Sequence, residues 1–448
     1  MAKRHLIGIG GVGMSALATA LLRLGDEVTG ADRTLGTPNV RFLESLGIRV
    51  FPDDGSGVDA ATDEVIVSTA IEESNAGLRK AKELGIPVTH RAKALARTLA
   101  GYKLVAVVGT CGKSTVTAML GHVLAECGLD PMCVNGANVP GWEGAVRFGK
   151  GQYAVAEVDE SDKSLVAFKP HAAIVTNASA DHYSKEEMDE VFDAFVKDCE
   201  GPVVDGRTGE EGCGVARLRG CGVARLRGCG VEELQKVLPL PGKHNLQNAI
   251  MAVLMAKALG VAEEDAIAAM KTFRGVERRL QLISKPLTPA PPQPRNLAIS
   301  QPSLSVYDDY AHNPEKLKAM WTTLAEKYPQ GICVVWRPHG YAPLRKMMDA
   351  LAAMFAETVR PQDKLLLLPV YDVGGTTDRS VNSDALVEKL QAASFRLQVS
   401  GACPVELVAD LDAAFAWCAA HKGDFAAFVT CGARDPGLPG LAKRLSEM

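Results

Sequence analysis

The sequence predicts an α/β protein in which several domains are each built around a parallel sheet. Short, uniformly apolar runs, typical of strands buried on both faces, alternate with longer stretches of helical periodicity. At 448 residues the chain is too long for a single core, so about two to four domains are expected. Its hydrophobic content of 47% and charged content of 23% are ordinary for a globular protein of this class.

The first predicted domain, residues 1–99, shows the alternation of a doubly wound sheet. Its strands are predicted at His5–Gly10, Glu27–Asp32 and Glu64–Ser68. A helix rich in alanine and leucine separates the first two strands and ends near Gly25.

A glycine-rich turn follows the first predicted strand and opens the first helix. It contains Gly8, Gly10, Gly11 and Gly13, and the acidic residue Asp32 follows at the end of the second strand. Glycines at such a turn let the backbone approach a pyrophosphate at a helix N-terminus. The pattern fits a dinucleotide or a UDP-sugar, and a tight turn without any ligand is a third interpretation.

The second predicted domain, residues 100–305, contains the strongest functional motif. The apolar run Val105–Val108 leads into a turn with two glycines, and a helix then begins at Lys113. We call residues 109–115 the phosphate loop, because this arrangement directs backbone N–H groups and the helix dipole toward a phosphate. Lys113 would neutralise phosphate oxygens and the Ser114 hydroxyl would reach Mg²⁺. A glycine turn followed by a surface lysine is the alternative, since Val107 replaces the first glycine of the longer motif.

Two later strands of this domain, predicted at Tyr153–Glu157 and Ala172–Thr176, bring further polar residues to the same place. Because parallel strands share one carboxyl edge, Glu157 and His182 should lie near the phosphate loop. A carboxylate and an imidazole there are plausible Mg²⁺ ligands beside a triphosphate. A helix-capping role for Glu157 and a polar-loop position for His182 are the alternatives. Helices are predicted at about 244–259 and 262–272.

Two segments interrupt the alternation. The eight residues 212–219 recur unchanged at 220–227, which predicts either short strands or a loop. The proline-rich run Pro286–Pro302 predicts a surface loop. The third predicted domain, residues 306–448, follows with strands at Ile332–Trp336, Lys364–Leu368 and Ala426–Thr430.

Charge and composition exclude several kinds of protein. A net charge of −4 gives no electrostatic reason to expect nucleic acid or an anionic membrane as partner. No uncharged apolar run reaches about 18 residues, so no membrane span is expected. The first residues lack the apolar stretch of a secretory signal, and eleven cysteines without a CxxC pair favour reduced thiols in a cytoplasmic protein.

Motifs spread over nearly the whole chain resemble those of the Mur ligases, and they occur in the order found in that family. They are the glycine turn, the phosphate loop and the runs Ser68-Thr-Ala-Ile71, Ile86-Pro-Val-Thr-His-Arg-Ala92, Ala156-Glu-Val-Asp-Glu-Ser-Asp162, Thr176-Asn-Ala-Ser-Ala-Asp-His182, Pro241-Gly-Lys-His-Asn245, Gly275-Val-Glu-Arg-Arg279, Asp308-Asp-Tyr-Ala-His-Asn-Pro314 and Arg337-Pro-His339. The resemblance implies a Rossmann-like N-terminal domain, a central P-loop ATPase-type domain with a shortened β subdomain, and a Rossmann-like C-terminal domain.

The resemblance also implies an activity. Mur ligases transfer the γ-phosphate of ATP, with Mg²⁺, to a substrate carboxylate, and an amine then attacks the acyl phosphate to give an amide. For this chain the implied substrates are UDP-N-acetylmuramate and an amino acid, with L-alanine first, in peptidoglycan precursor synthesis. A peptide-adding or recycling ligase that uses another amine is the alternative.

Carried over by motif, the resemblance assigns residues to each ligand. For the nucleotide it implies Gly109, Thr110, Gly112, Lys113, Ser114, Thr115, His244, Asn245, Asn248, Arg279 and Asp309. For the UDP-sugar it implies Gly10, Gly11, Gly13, Asp32, Ser68, Thr69, His90 and Arg91, and for the amino substrate His312, His339 and Arg345. The implied catalytic residues are Lys113, Glu157, His182 and Arg279, and the metal ligands are Ser114, Glu157 and His182.

The chain departs from the family pattern in three places. Cys111 occupies a phosphate-loop position that usually carries His or Asn. After His339 only Arg345 remains of the arginines expected to hold an amino acid carboxylate. The segment 198–241 is shorter than in relatives. These departures leave open a homologue that binds nucleotides without turnover, and the glycine turn alone would also fit a nicotinamide oxidoreductase.

Overall fold

The computed structural model describes residues 1–159, 164–178, 185–197, 199–208, 215–218, 222–225, 230–283, 304–372, 378–396 and 404–448. Within these residues the chain forms two compact units, Met1–Val276 and Glu277–Met448. The first unit contains two sheets and the second unit contains one. The fold is therefore α/β with three sheets, as predicted.

The first sheet is parallel throughout, with the strand order β3-β2-β1-β4-β5. A helix connects each pair of successive strands except β3 and β4, as is usual for parallel strands. The elements are β1 (Lys3–Ile7), α1 (Val12–Arg23), β2 (Glu27–Asp32), α2 (Pro38–Ser45), β3 (Arg49–Pro52), β4 (Glu64–Val67), α3 (Ala76–Glu83), β5 (Val88–His90) and α4 (Arg91–Thr98). The three strands predicted for this domain are confirmed, although β1 begins and ends earlier than expected.

The second sheet has eight strands in the order β13-β12-β11-β10-β6-β9-β7-β8. Its first elements are β6 (Lys103–Val108), α5 (Lys113–Glu126), β7 (Met132–Val134), β8 (Val146–Arg147), β9 (Tyr153–Glu157) and β10 (Ala172–Val175). The remaining elements are α6 (Lys185–Lys197), β11 (Val203–Asp205), β12 (Val215–Leu218), β13 (Gly222–Arg225), α7 (Gly230–Val237), α8 (Lys243–Ala258) and α9 (Glu263–Met270). Single 3₁₀ turns occur at Ser164–Ala167 and Gly206–Thr208.

The position of β6 in this sheet matters for function. Both of its neighbours, β9 and β10, run parallel to it, so the three strands end at one edge. The octad repeat forms the edge of the same sheet, because β12 and β13 come from successive copies and pair antiparallel. Its other residues, apart from the start of α7, lie outside the described part of the chain.

The third sheet has the order β14-β15-β19-β16-β17-β18, and only β14 runs antiparallel to its neighbour. Its elements are β14 (Gln281–Leu282), β15 (Ser305–Asp309), α10 (Pro314–Lys327), β16 (Ile332–Trp336), α11 (Tyr341–Thr358), β17 (Lys364–Leu367), α12 (Ser383–Arg396), β18 (Val405–Leu407), α13 (Leu411–Ala420), β19 (Ala427–Cys431) and α14 (Gly437–Ser446). Strand β14 precedes the boundary expected at residue 306. The proline-rich run 286–302 lies outside the described residues.

The hydrophobic cores follow the sheets. One cluster contains Leu17 of α1 and Leu95 of α4 together with Val108 of β6 and Phe192 of α6. The first two sheets therefore share a hydrophobic core. The third sheet has a separate core on each face. Fully burying each large apolar side chain contributes about 1.5–3 kcal/mol. Across the described residues, no helix has the length and hydrophobicity to cross a membrane.

Candidate active site

The phosphate loop joins β6 to α5, and its backbone requires two glycines. Gly109 has a φ of 129° and Gly112 has a φ of 82°, in the left-handed region that other residues adopt only with strain. A Cβ atom on Gly109 would collide with the Thr176 hydroxyl, and one on Gly112 would lie 2.7 Å from Asn248 Oδ1. The loop is therefore closely packed against the ends of β10 and α8.

Two residues after β10 hold the loop in place. The Asn177 Oδ1 atom accepts hydrogen bonds from the Thr110 hydroxyl at 2.6 Å and from the Cys111 N–H at 2.9 Å. The Cys111 carbonyl accepts from the Thr176 hydroxyl at 2.6 Å and from the Asn177 amide at 3.0 Å. The loop is thus preorganised by a neighbouring strand. The motif containing these residues is visible in the sequence, but their role depends on β10 lying beside β6.

The predicted phosphate-binding side chains sit at the start of α5. Lys113 Nζ donates a hydrogen bond to the Gly109 carbonyl at 2.6 Å, so the ammonium lies over the loop. Ser114 and Thr115 are buried, with 4% and 5% of their surface exposed. The N-terminus of a helix concentrates unpaired N–H groups and positive potential, which suits an anion.

Glu157 ends β9 beside the loop, since it pairs in register with Val107 of β6. Its Oε2 atom accepts a hydrogen bond of 2.7 Å from the Gly136 N–H. A Cβ atom at position 136 would overlap that carboxylate, so a larger residue there would displace the Glu157 side chain. Glu157 is thereby fixed at the edge where the phosphate loop begins.

The oxygen donors at this edge fit Mg²⁺. Ser114 offers a hydroxyl and Glu157 a carboxylate, and Mg²⁺ is usually held by one or two carboxylates together with waters and phosphate oxygens. The described residues contain no group of three or more histidines, cysteines or acidic residues that could hold a metal. A cage of that kind is unnecessary beside a triphosphate. His182, the third predicted ligand, lies outside the described residues.

Helix α8 supplies the predicted adenine-side residues. Asn248 is 7% exposed and touches the phosphate loop at Gly112, as described above. Asn245 is 4% exposed and donates a hydrogen bond of 2.7 Å to the Pro241 carbonyl. His244 precedes it on the helix, and desolvation lowers its pKa. The structure thus brings this helix to the loop, while the adenine contact itself stays a prediction.

The glycine turn of the first sheet is held by its acidic residue. Asp32 Oδ2 accepts a hydrogen bond of 2.8 Å from the Gly10 N–H, and Asp32 Oδ1 accepts one of 3.0 Å from Thr34. A Cβ atom on Gly10 would lie 2.9 Å from the Asp32 carboxylate. Asp32 therefore braces the turn, and its contact with a UDP ligand stays a prediction. Gly11 is the N-cap residue of α1, and no side chain caps this helix N-terminus.

Arg91 lies over the start of α1. Its Nη1 atom is 2.6 Å from where a Cβ atom on Gly13 would be, and its guanidinium is 3.7 Å from the Asp159 carboxylate. The structure thus places a cation beside the glycine turn. His90 caps α4 by accepting a hydrogen bond of 3.3 Å from the Ala92 N–H. Ser68 and Thr69, which follow β4 directly, are half-buried and exposed, respectively.

In the second unit, Asp309 hydrogen-bonds to the backbone of two segments, one before β14 and one after β15. Its two carboxylate oxygens accept hydrogen bonds from the Leu280 N–H at 2.6 Å and the Ala311 N–H at 2.7 Å. Burial raises its pKa, against the opposing effect of Arg279. Arg279 lies 4.6 Å from the centre of the Tyr310 ring. Both residues belong to one cluster, and their predicted nucleotide contacts remain untested.

The neighbouring Arg278 has a structural role that the sequence did not reveal. It forms an ion pair of 3.1 Å with Asp308 and donates to the carbonyls of Gly432 and Ala433. Its φ of 57° is unusual for a residue other than glycine. Burial raises the pKa of Asp308 to about 6, although Arg278 and Thr430 favour its ionised form.

The predicted amino-substrate residues fall into two groups. The rings of His312 and His339 meet edge to face with centres 4.8 Å apart, so these two are brought together. Arg345 instead forms an ion pair of 2.8 Å with Asp378 and donates to Ser380. Both side chains of this ion pair are exposed to solvent, and binding of the amino substrate by Arg345 stays a prediction.

Comparisons with known proteins identify the family of this chain. The family model of the Mur ligase catalytic domain matches residues 3–103, and that of the Mur ligase glutamate ligase domain matches residues 296–434. The chain belongs to the Mur ligase family. It is 30% identical to UDP-N-acetylmuramate–L-alanine ligase of Sinorhizobium medicae, over 99% of this chain and 97% of that protein. The corresponding ligase of Gloeobacter violaceus is 31% identical, over 87% and 85% of the two chains.

Solved structures show the same fold. UDP-N-acetylmuramate-alanine ligase from Thermotoga maritima superimposes with a TM-score of 0.72 at 23% identity, covering 100% of this chain and 99% of that one. A murein peptide ligase from Psychrobacter arcticus has a TM-score of 0.63 at 18% identity, with the same coverage. The predicted three-part α/β architecture is thus confirmed.

Proposed function

We propose that this protein is an ATP-dependent ligase that joins an amino acid to the carboxylate of UDP-N-acetylmuramate in peptidoglycan precursor synthesis. The braced phosphate loop carries the proposal, because it combines helix N–H groups, Lys113 and the neighbouring Glu157 at one sheet edge. The similarity to UDP-N-acetylmuramate–L-alanine ligases supports the choice of substrate. We place the reaction in the cytoplasm.

Each predicted domain has one task in this proposal. The glycine turn and Arg91, in domain 1–99, bind the UDP moiety. The phosphate loop, in domain 100–305, binds ATP, and domain 306–448 binds the incoming amine through the segment that carries His312 and His339. Because Arg278, Leu280 and β14 pack with the third sheet, we extend that last domain to residue 277.

The residues act mainly by position and charge. The loop N–H groups and Lys113 hold the phosphates. Ser114 and Glu157 would hold Mg²⁺, which would supply neutralisation of phosphate charge. The γ-phosphoryl group passes to the substrate carboxylate and ADP leaves. The amine then attacks the acyl carbon, loses a proton and expels phosphate, which leaves an amide. Fixed donors stabilise the developing charge without reorganisation.

Phosphate release tests this proposal. The full-length protein is incubated with ATP, Mg²⁺ and UDP-N-acetylmuramate, and a panel of amino acids and short peptides is added singly. We expect phosphate release that depends on both the sugar nucleotide and one class of amine, with the amide confirmed by mass. Glu157→Gln should abolish turnover, whereas the matched surface variant Glu143→Gln should retain it. ATP binding without phosphate release for any amine would contradict the proposal.

A further inference from the structure

Tyr310 lies between residues that are predicted to act on the two sides of the ligase reaction. The Arg279 guanidinium carbon is 4.6 Å from the centre of the Tyr310 ring, and Arg279 is predicted to bind the nucleotide. The ring of His312, predicted to bind the amino substrate, meets the same ring edge to face with centres 5.5 Å apart. His339 lies next to His312, with ring centres 4.8 Å apart. Tyr310 is thus the aromatic contact that the phosphate-side cation and the amine-side imidazoles share.

The backbone that presents Arg279 is strained on both sides. Arg278 has a φ of 57° and Leu280 has a φ of 50°, both in the left-handed region. Residues other than glycine adopt such angles at a cost in free energy, and they persist only where the surrounding structure holds them. The turn therefore needs an anchor on each side of Arg279.

The residues on either side of Arg279 provide these anchors. The Arg278 guanidinium pairs with Asp308 at 3.1 Å and donates hydrogen bonds to two backbone carbonyls that follow β19. Leu280 is buried, and its N–H donates a hydrogen bond of 2.6 Å to the carboxylate that ends β15. These contacts fix the backbone of Arg279. The direction of its side chain then depends on what the guanidinium packs against.

The Tyr310 ring is itself held in place and can serve as a platform for Arg279. The anchored Arg278 lies against it, with its guanidinium carbon 5.2 Å from the ring centre. The Tyr310 carbonyl accepts a hydrogen bond of 2.9 Å from His312 Nδ1, which fixes the backbone on one side of the ring. Arginine guanidinium groups are attracted to aromatic faces, so a fixed ring favours one orientation of a neighbouring arginine.

We infer that Tyr310 is a positioning residue for Arg279, whose guanidinium it holds in the orientation that meets the transferred phosphoryl group. This inference rests on the proposed ligase function. A cation that is oriented before the reaction stabilises developing negative charge without reorganisation. The edge contact between Tyr310 and His312 places this cation in the same assembly as the rings predicted to meet the amine.

A double-mutant cycle between Tyr310 and Arg279 tests the inference. The full-length wild type, Tyr310→Leu, Arg279→Ala and the double variant are compared for kcat of phosphate release under the ligase conditions above. Binding of a non-hydrolysable ATP analogue with Mg²⁺, in the presence of UDP-N-acetylmuramate, is measured separately by calorimetry.

Three further variants complete the design. Tyr310→Phe keeps an aromatic face, and Tyr310→Met is a second variant without one. Phe415→Leu is the matched control, because the Arg444 guanidinium carbon lies 4.3 Å from the centre of that ring in the same unit. Circular dichroism and urea midpoints establish that each variant is folded.

Tyr310→Leu and Tyr310→Met should each lower kcat by about fivefold or more, the factor that one arginine–aromatic contact is worth. Tyr310→Phe should restore most of this loss, since its ring still offers an aromatic face. In the Arg279→Ala background, removal of the Tyr310 ring should have no further effect, because the group that it orients is absent. Phe415→Leu should keep the kcat of the wild type.

Wild-type kcat in Tyr310→Leu and Tyr310→Met, or a fully additive loss in the double variant, would overturn the inference. If no amine supports phosphate release, the affinity for the ATP analogue provides the same cycle. A non-additive loss of affinity would then support the positioning role and overturn the ligase function, whereas an additive loss or none would overturn both.

Discussion

Asn177 shows how one side chain can organise a binding loop. Its amide contacts the loop through three hydrogen bonds, to Thr110 and to both polar groups of the Cys111 backbone. A loop held in its binding conformation before ligand arrives loses less entropy on binding. We therefore regard Asn177 as a positioning residue for the nucleotide.

Asn177→Ala should weaken ATP binding by about tenfold or more. Each lost hydrogen bond is worth about 0.5–1.5 kcal/mol, and about 1.4 kcal/mol corresponds to a factor of ten in affinity. The measurement is calorimetric titration of ATP with Mg²⁺. Asn75→Ala is the matched control, because the Asn75 side chain also accepts a hydrogen bond from a backbone N–H, that of Leu78, and caps α3 in the first sheet. An unchanged ATP affinity in Asn177→Ala would refute the role assigned to it.

His5 makes the stability of the first sheet depend on pH. The side chain is 1% exposed, with Nδ1 2.9 Å from the Thr29 hydroxyl, and burial lowers its pKa from 6.5 to about 4. Between these two pH values the unfolded chain binds a proton that the folded chain does not. Stability contributed by the neutral ring is therefore complete above about pH 6.5 and is lost as the pH falls toward 4.

We predict that the urea midpoint of the wild type falls between pH 6.5 and pH 4 more steeply than that of His5→Asn. The difference in free energy of unfolding accumulated over this window should be about 3 kcal/mol, since one pKa unit corresponds to about 1.4 kcal/mol. Parallel pH profiles for the two proteins would show that His5 is not the titrating group.

At the scale of elements, the unit β6–loop–α5 explains most of the nucleotide site. Parallel pairing with β9 and β10 brings Glu157 and Thr176 to the loop from positions more than forty residues away in sequence. The helix start then supplies N–H groups and Lys113. The loop conformation depends on two residues with positive φ, Gly109 and Gly112.

Gly112→Ala should reduce ATP affinity by about tenfold or more while the fold is retained. An added Cβ is strained at a φ of 82° and would lie 2.7 Å from Asn248 Oδ1, so the loop backbone and the Asn248 side chain must shift. Gly128→Ala is the matched control, because Gly128 ends the same helix with the same φ of 82° and nothing lies near its absent Cβ. Both variants carry a backbone cost of about 1 kcal/mol or more, but only Gly112→Ala should affect ATP titration. Equal ATP affinity in the two variants would contradict this account.

At the scale of the whole molecule, the second unit includes residues that precede β15, the first of the parallel strands in its sheet. Leu280 is buried, and its N–H is held by Asp309, while Arg278 pairs with the buried Asp308. Removing one partner of a buried ion pair costs about 3–5 kcal/mol, because the other charge remains buried and uncompensated.

We therefore predict that a fragment of residues 277–448 folds alone, whereas a fragment of residues 306–448 is less stable or unfolded. The longer fragment retains β14 and both cores of the third sheet. Circular dichroism and urea denaturation of the two fragments provide the measurement. Equal midpoints would show that residues 277–283 contribute nothing to the unit.

The sequence predicted much of the architecture for a physical reason. Strands such as Glu27–Asp32, Tyr153–Glu157 and Ile332–Trp336 appear where predicted, because a short run of strand-forming residues soon after a glycine is a local signal. Lys113 and Glu157 lie at the same edge of the second sheet because β6 and β9 run parallel and end there. Contacts that depend on strand order were not predictable in this way.

Two site residues have contacts that could not be predicted from the sequence, because they depend on the order of the strands and on the path of a loop. The role of Asn177 requires β10 to lie next to β6, which no local pattern reveals. Arg345 forms an ion pair with Asp378, which follows β17, and no local pattern in the sequence reveals this pairing. The predicted contact of Arg345 with the amino substrate stays a prediction. His182 lies outside the described residues, so its role as a metal ligand stays a prediction.

The most direct test of the central claim measures ATP binding and phosphate release in Lys113→Ala. We predict that ATP affinity falls by about tenfold or more, since a charge-assisted contact to phosphate is lost, and that turnover stops. Lys93→Ala, at an exposed position of α4, should behave as the wild type. Wild-type ATP affinity and turnover in Lys113→Ala would contradict the account.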